Sequence, residues 1–214
     1  MRTFLNGHHG WPFFMVLTVS AAVGGCAVAP VARAPADGLE ALAVRQAQVT
    51  QSPPWQVEAR IALTDGRESW QAALLWRQGG DRFELQMRGP FGQGGGVMKG
   101  DGRSVRLRLR DGRQAVGDDA GTLLARLLGW TIPVAELRYW IRGVPATTPY
   151  EQLRWNREGE IESFRQAGWS LHFSQYRLFE NQRLPRKITA QGQRWRIKVV
   201  VDRWRWTAAG KTQQ

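Results

Sequence analysis

The chain has 214 residues, 43% of them hydrophobic, which is enough for one packed domain with appendages and argues against global disorder. Lys and Arg total 30 against 18 Asp and Glu, a formal charge of +12 that favours an anionic partner and says nothing of fold. One Cys, Cys26, excludes an internal disulfide and any cysteine-built metal cage.

Residues 1–25 read as a lipoprotein signal peptide. Arg2 supplies the positive start, and Phe13 to Val23 form an apolar run far below the roughly 18–20 residues that span a bilayer. Small residues lead to Val23-Gly24-Gly25-Cys26, which resembles a lipobox with Cys26 as the acylated first residue. An ordinary secretory signal with an incidental Cys is the plainer alternative. Ala27, rather than Asp, follows Cys26; by resemblance to enterobacterial lipoproteins this favours the outer membrane. Residues 26–54 then read as the acylated Cys, an Ala/Pro-rich tether and a short helix over Leu39 to Val49, ended by Ser52-Pro53-Pro54.

From Trp55 the apolar period becomes two. Val57, Ala59, Ile61 and Leu63 alternate with polar residues, and Asp65-Gly66 marks a turn. Trp70, Ala72, Leu74 and Trp76 follow, then Gly79-Gly80, then Phe83, Leu85 and Met87. After Gly89–Gly96 come Val97-Met98 and Val105, Leu107 and Leu109. These segments predict an antiparallel meander with tight turns.

Two helices interrupt it. Asp118 or Asp119 caps the first, which carries Leu123, Leu124, Leu127 and Leu128 and stops at Gly129. Pro133 opens the second, with Val134, Leu137 and Ile141 as its stripe and Gly143 as its stop. Both are too apolar to stand alone and should cover one face of the sheet. Strands resume around Leu153 and Trp155, Ile161 and Phe164, Trp169 to Phe173, and Ile188 and Ala190. A long last strand runs from Trp195 to about Trp204. The domain is thus placed at 55–206 and a polar tail at 207–214.

The stretch Gly89-Pro90-Phe91-Gly92-Gln93-Gly94-Gly95-Gly96 puts one large apolar side chain at a turn tip. Either Phe91 folds back and staples the hairpin to the core, or it protrudes and touches something apolar. No catalytic or metal constellation is recognisable: the chain beyond the signal holds one His, His172, inside a strand pattern, and the glycines lack the Lys-Ser/Thr of a phosphate loop. The chain is expected not to be an enzyme. Arg106, Arg108 and Arg110 alternate with buried residues and read as a solvated face; a basic surface for an acidic partner or lipid head groups is the functional alternative. The aromatics take the opposite phase, so nucleic-acid binding is not expected.

From Trp55 to Trp204 the chain resembles the LolB family, which receives lipoproteins from the soluble carrier LolA. The carrying residues are Trp55 with Arg60-Ile61-Ala62, Ser69-Trp70 with Trp76, and Gly89-Pro90-Phe91-Gly92. A central block follows: Gly129, Ile132-Pro133-Val134, Leu137, Trp140, Gly143 and Pro145. Gly168-Trp169 with Phe173 and Tyr176, Leu184-Pro185 with Lys187-Ile188, and Ile197-Lys198 with Trp204 complete the set. The family usually has Leu where Phe91 stands.

The resemblance implies a mainly β fold, a curved, incomplete antiparallel barrel with a helical lid over a hydrophobic cavity. It implies a monomer, lipid-anchored in the outer membrane with its domain in the periplasm. Its partners would be a LolA-like carrier, lipoprotein cargo and outer-membrane lipid. No cofactor is implied beyond the acyl and diacylglycerol groups on Cys26. Trp76, Trp140, Trp169 and Trp204 become candidate cavity residues, and Pro90, Phe91 and Gly92 a candidate membrane-insertion loop. A structural or lipid-sensing outer-membrane lipoprotein on the same fold is the rival reading.

Overall fold

Alternation and the 3.6 period decide most of the fold. The computed structural model describes residues 38–92 and 94–207. Expectations for the signal peptide, Cys26, the start of the tether and the tail from residue 208 lie outside the described residues.

The first half runs α1 (Gly38–Thr50), β1 (Trp55–Thr64), β2 (Ser69–Gly79), β3 (Arg82–Arg88), a 3-10 turn (Pro90–Gly92), β4 (Gly95–Gly100), β5 (Val105–Leu109) and β6 (Gln114–Gly117). Helices α2 (Ala120–Leu128) and α3 (Val134–Trp140) follow. The second half is β7 (Tyr150–Trp155), β8 (Ile161–Gln166), β9 (Trp169–Ser174), β10 (Arg177–Phe179), β11 (Gln182–Leu184), β12 (Lys187–Gln191) and β13 (Arg196–Trp206).

Eleven strands form one antiparallel sheet in the order β6-β5-β4-β3-β2-β1-β13-β12-β9-β8-β7, while β10 and β11 pair by themselves. The first and last strands therefore meet in the middle, Trp55 opposite Trp206 and Thr64 opposite Arg196. Thr207 N donates to Pro54 O at 2.8 Å, tying the two ends of the domain together. Strands β6 and β7 are neighbours in the chain yet occupy opposite edges of the sheet, and α2 and α3 connect them. The barrel is left open between those edges, and the helices cover the apolar face it leaves.

Burial follows the pleat. Ala72, Leu74 and Trp76 on β2 and Val105, Leu107 and Leu109 on β5 face inward, while Arg106, Arg108 and Arg110 face water. Helix α2 is capped as its sequence requires: Asp119 Oδ1 accepts from Thr122 N at 2.6 Å, and Gly129 takes φ 71° at the other end. Helix α3 begins at Val134, with Pro133 in the capping position and contributing no side-chain cap. The strand β6 and the β10–β11 hairpin are additions to the predicted elements.

Candidate functional site

Under α2 and α3 lies a cavity of about 120 Å³ whose wall is almost entirely apolar. Sheet residues such as Ile61, Leu74, Met98 and Ile188 form its floor, and Leu124, Leu137 and Trp140 from the helices form its roof. The periodicities explain the meeting: inward strand positions supply one wall and a helix stripe the other. The void is smaller than the roughly 150 Å³ cavity that takes one benzene, and well below the roughly 300–1,000 Å³ of a ligand pocket. An acyl chain therefore enters only if the roof moves.

Of the four tryptophans expected at the cavity, two line it. Trp76 comes from β2, and Trp140 comes from α3, where its Nε1 donates to Gln166 Oε1 at 2.9 Å. That glutamine is buried and fully used: Oε1 also accepts from Ala146 N, and Nε2 donates to Ala146 O and Thr148 O. The expectation for Trp169 and Trp204 is corrected. Trp169 is buried behind Trp140, with ring centroids 6.4 Å apart, and packs toward Gly192 rather than into the void. Trp204 lies near the far end of β13, with its ring 5.0 Å from Trp55 and 5.3 Å from Trp206.

Beside Trp204 stands Arg142, only 6% exposed. Its guanidinium sits over the Trp55 and Trp204 rings at 5.2 and 5.7 Å, and Nη2 donates to Ser52 Oγ at 2.8 Å. Among the described residues no carboxylate pairs with it. Burial pulls its pKa down to about 10. This cluster fastens α1 to the sheet.

The glycine loop gives the opposite picture. Phe91 is 102% exposed, so its ring touches no core and the staple reading is overturned. Its φ of 55° places a bulky side chain in the left-handed region, a strain of the order of 1–3 kcal/mol. Pro90 and Gly92 flank it in the same exposed turn, and Arg110 Nη1 donates to Gly92 O at 3.2 Å. Behind the tip, a Cβ on Gly95 would lie 2.2 Å from Met87 O, and one on Gly96 2.6 Å from Arg108 O. Glycine at these positions lets β4 press against both neighbours while the tip stands clear.

Two further tryptophans matter that were not singled out for the site. Trp70 on β2 and Trp130 on the α2–α3 connection line the cavity, with their rings 5.1 Å apart. Trp70 shares the inward phase of Trp76, so the signal was present. Trp130 lies between helices, where no periodicity reports direction.

A family model described as "Outer membrane lipoprotein LolB" matches residues 53–204. The chain belongs to the LolB family. Among its relatives, the "Outer-membrane lipoprotein LolB" of Nitrosococcus oceani is 32% identical over 161 residues, covering 75% of this chain and 80% of that one. The protein of the same name from Cellvibrio japonicus is 32% identical over 196 residues, covering 89% and 94%. In fold, this LolB-family chain is similar to a LolA superfamily protein from Nitrosomonas europaea, with TM-score 0.53 at 9% identity over 84% of this chain and 94% of that one. A DUF1329 family protein from Desulfovibrio piger also gives TM-score 0.53, at 10% identity over 84% and 96%.

His172 is exposed on β9, and no group of three or more His, Cys, Asp or Glu converges among the described residues. No helix among them is long and apolar enough to cross a membrane.

Proposed function

We propose that this protein takes lipoproteins from a soluble periplasmic carrier of the LolA kind and inserts them into the outer membrane, where lipid on Cys26 anchors the protein itself. The observation that carries the reading is the apolar cavity beneath two short helices, set in a chain of the LolB family. Each acyl methylene exposed to water costs about 0.8 kcal/mol, so one long chain costs on the order of 10 kcal/mol and needs an apolar container in transit. Handover requires no nucleotide if this cavity holds the chain more tightly than the donor does and the bilayer more tightly still.

The Gly89–Gly96 loop is the membrane contact in this reading. Phe91 is already in water, so its transfer into lipid is worth about 1.5–3 kcal/mol, enough to orient a tethered protein and too little to anchor it. Exposed Arg88 and Arg110 flank the loop and suit anionic head groups. The deciding experiment mixes a lipoprotein-loaded carrier with this protein and then with liposomes. Cargo is expected to move to this protein and then to the vesicles; cargo that stays on the carrier defeats the proposal. Raised salt is expected to slow the first transfer more than it weakens lipid holding, because docking of a basic surface is screened and apolar burial is not.

A further inference from the structure

The apolar cavity and the loop are separated by a single shared wall. A second, outer volume of about 640 Å³ lies at the base of the Phe91 turn, bounded by Gly92, Gly94 and Gly95 on one side and by Leu109, Arg110 and Leu128 on the other. Trp70, Met87 and Trp130 line both volumes. The two indoles, with ring centroids 5.1 Å apart, are thus a partition between a dry interior and a half-polar vestibule beside the exposed Phe91.

Resting on the acyl-carrier reading above, we infer that the Trp70–Trp130 contact is the gate through which a cargo acyl chain passes between the cavity and the membrane-facing loop. Trp70 is the fixed leaf. It stands on β2, where Trp70 is paired with Leu63 in a long antiparallel ladder. Trp130 is the moving leaf. It follows Gly129, whose φ is 71°, and precedes Pro133 on the short connection between α2 and α3. Its backbone N–H has one long bond, 3.4 Å to Leu124 O. Both rings are only half-buried, so swinging Trp130 off Trp70 and Trp195 uncovers less surface than moving a fully buried indole would. A chain leaving this way has Leu128 and Leu109 along its path to the loop tip, with Arg110, Asp111 and Arg113 on the polar side of the vestibule.

A competing route leads past Trp76 and Val134 into a smaller volume of about 250 Å³. That volume carries Asp81, Asp118 and Asp119, and it lies toward the opposite end of β2, where Gln78 pairs with Trp55. The volume beside the loop carries one carboxylate, Asp111, paired with Arg113 at 2.7 Å, against three here, and nothing here adjoins Phe91.

The test uses the full chain with Cys26→Ala, so that any introduced thiol is the only one. Leu128→Cys carrying a bulky polyethylene-glycol maleimide is expected to slow uptake of pyrene-labelled palmitate by about tenfold or more, whereas Ala135→Cys with the same label leaves uptake unchanged. The reverse pattern would place the route past Val134 and overturn the gate. Trp130→Ala is expected to raise uptake and release rates together, each by about tenfold, with their ratio nearly constant, because a gate lowers one barrier in both directions. A faster release with unaltered uptake would make Trp130 ordinary wall and overturn the proposal. Saturable uptake by the parent chain that neither label slows removes the gate alone; no saturable uptake by the folded parent removes the acyl-carrier reading with it.

Discussion

Two tryptophan clusters mark the two ends of the central β1–β13 pair, about 30 Å apart over ten residues of strand, and they are built differently. At one end Trp55 and Trp204 flank the buried Arg142 guanidinium, Trp206 stacks on Trp204, and Arg142 donates to Gln48 O of α1 and to Ser52 Oγ just after it. At the other end Trp70, Trp130 and Trp195 lean together beside the glycine loop, with Trp70 and Trp130 half-exposed. The first end joins segments that are distant in sequence, since Arg142 reaches back to Ser52. The second includes Trp130, which stands on a short interhelical connection and meets its neighbours through ring contacts with Trp70 and Trp195. Tryptophan is the same large amphipathic plate in both places. What surrounds it decides whether the plate is a plug or a door.

The largest stability effect is expected from Arg142. Arg142→Ala removes a hydrogen bond to Ser52, two ring contacts and the volume between them, for a loss of about 3 kcal/mol in urea unfolding. Trp70→Ala at the other end should cost clearly less, because its ring is already half in water. Equal losses would erase the contrast. Arg142→Met sharpens it: an apolar side chain of similar length fills the space without burying a charge, and such exchanges are often neutral or stabilising.

The titration of Arg142 gives the sign independently. Its folded pKa, about 10, lies well below the ordinary guanidinium range, so the unfolded chain holds the proton more tightly. The cost of burying the cation is present below pH 10 and is relieved as pH rises through that value toward the ordinary guanidinium range. Tyr176 acts oppositely, because burial raises its pKa, and ionisation of the unfolded chain then costs stability above pH 10. The stability difference between the parent chain and Arg142→Met cancels the tyrosine and should move in the parent's favour above pH 10.

The next effect is on transfer rather than stability. Phe91→Glu is expected to leave the melting temperature and acceptance from the carrier nearly unchanged, since a fully exposed side chain contributes little to folding, and to impair delivery to liposomes. Phe91→Leu should deliver normally. A sharp fall in melting temperature for Phe91→Glu would mean that the ring is buried in solution after all.

These contrasts were unequally legible in the chain. The strands with clean alternation, such as Trp70 to Trp76 and Val105 to Leu109, announced themselves, as did α2 with its Asp119 cap and Gly129 stop. Strand β6, Gln114-Ala115-Val116-Gly117, has too few residues to show a period and is recruited by pairing with β5. The β10–β11 hairpin points Leu178 into water, which breaks the pattern that would have revealed it. At the site, Trp76 could be placed by phase. Trp204 is out of phase with the inward Ile197, Val199 and Val201; the bulge at Asp202 turns it inward near the strand's far end, and one-dimensional periodicity reports neither the bulge nor the position along the barrel. That missing coordinate separates plug from door.

The smallest expected effect tests the open end itself. Asp65 sits in the β1–β2 turn, where its Oδ1 accepts from Glu68 N at 2.9 Å and from Arg67 N at 3.0 Å, and its Oδ2 accepts from Arg194 Nη2 at 3.2 Å. The backbone bonds from Glu68 and Arg67 come first, then Arg194, in pulling its pKa down to about 2. Because this folded value lies below the ordinary 3.8, the turn is supported above about pH 4 and loses that support as pH falls through 4 toward 2. Arg194 belongs to the turn beside Trp195, so protonation loosens the contact between two turns at the Trp70–Trp130 end and touches nothing around Arg142. Amide hydrogen exchange from pH 5 down to about 2.5, corrected for its intrinsic pH dependence, should therefore show faster opening at Glu68 than at Val57. Asp65→Asn keeps an oxygen for the turn and removes the titrating charge, and should flatten that difference. If both ends loosen together in acid, the two clusters form one cooperative unit and the door opens only with the whole fold.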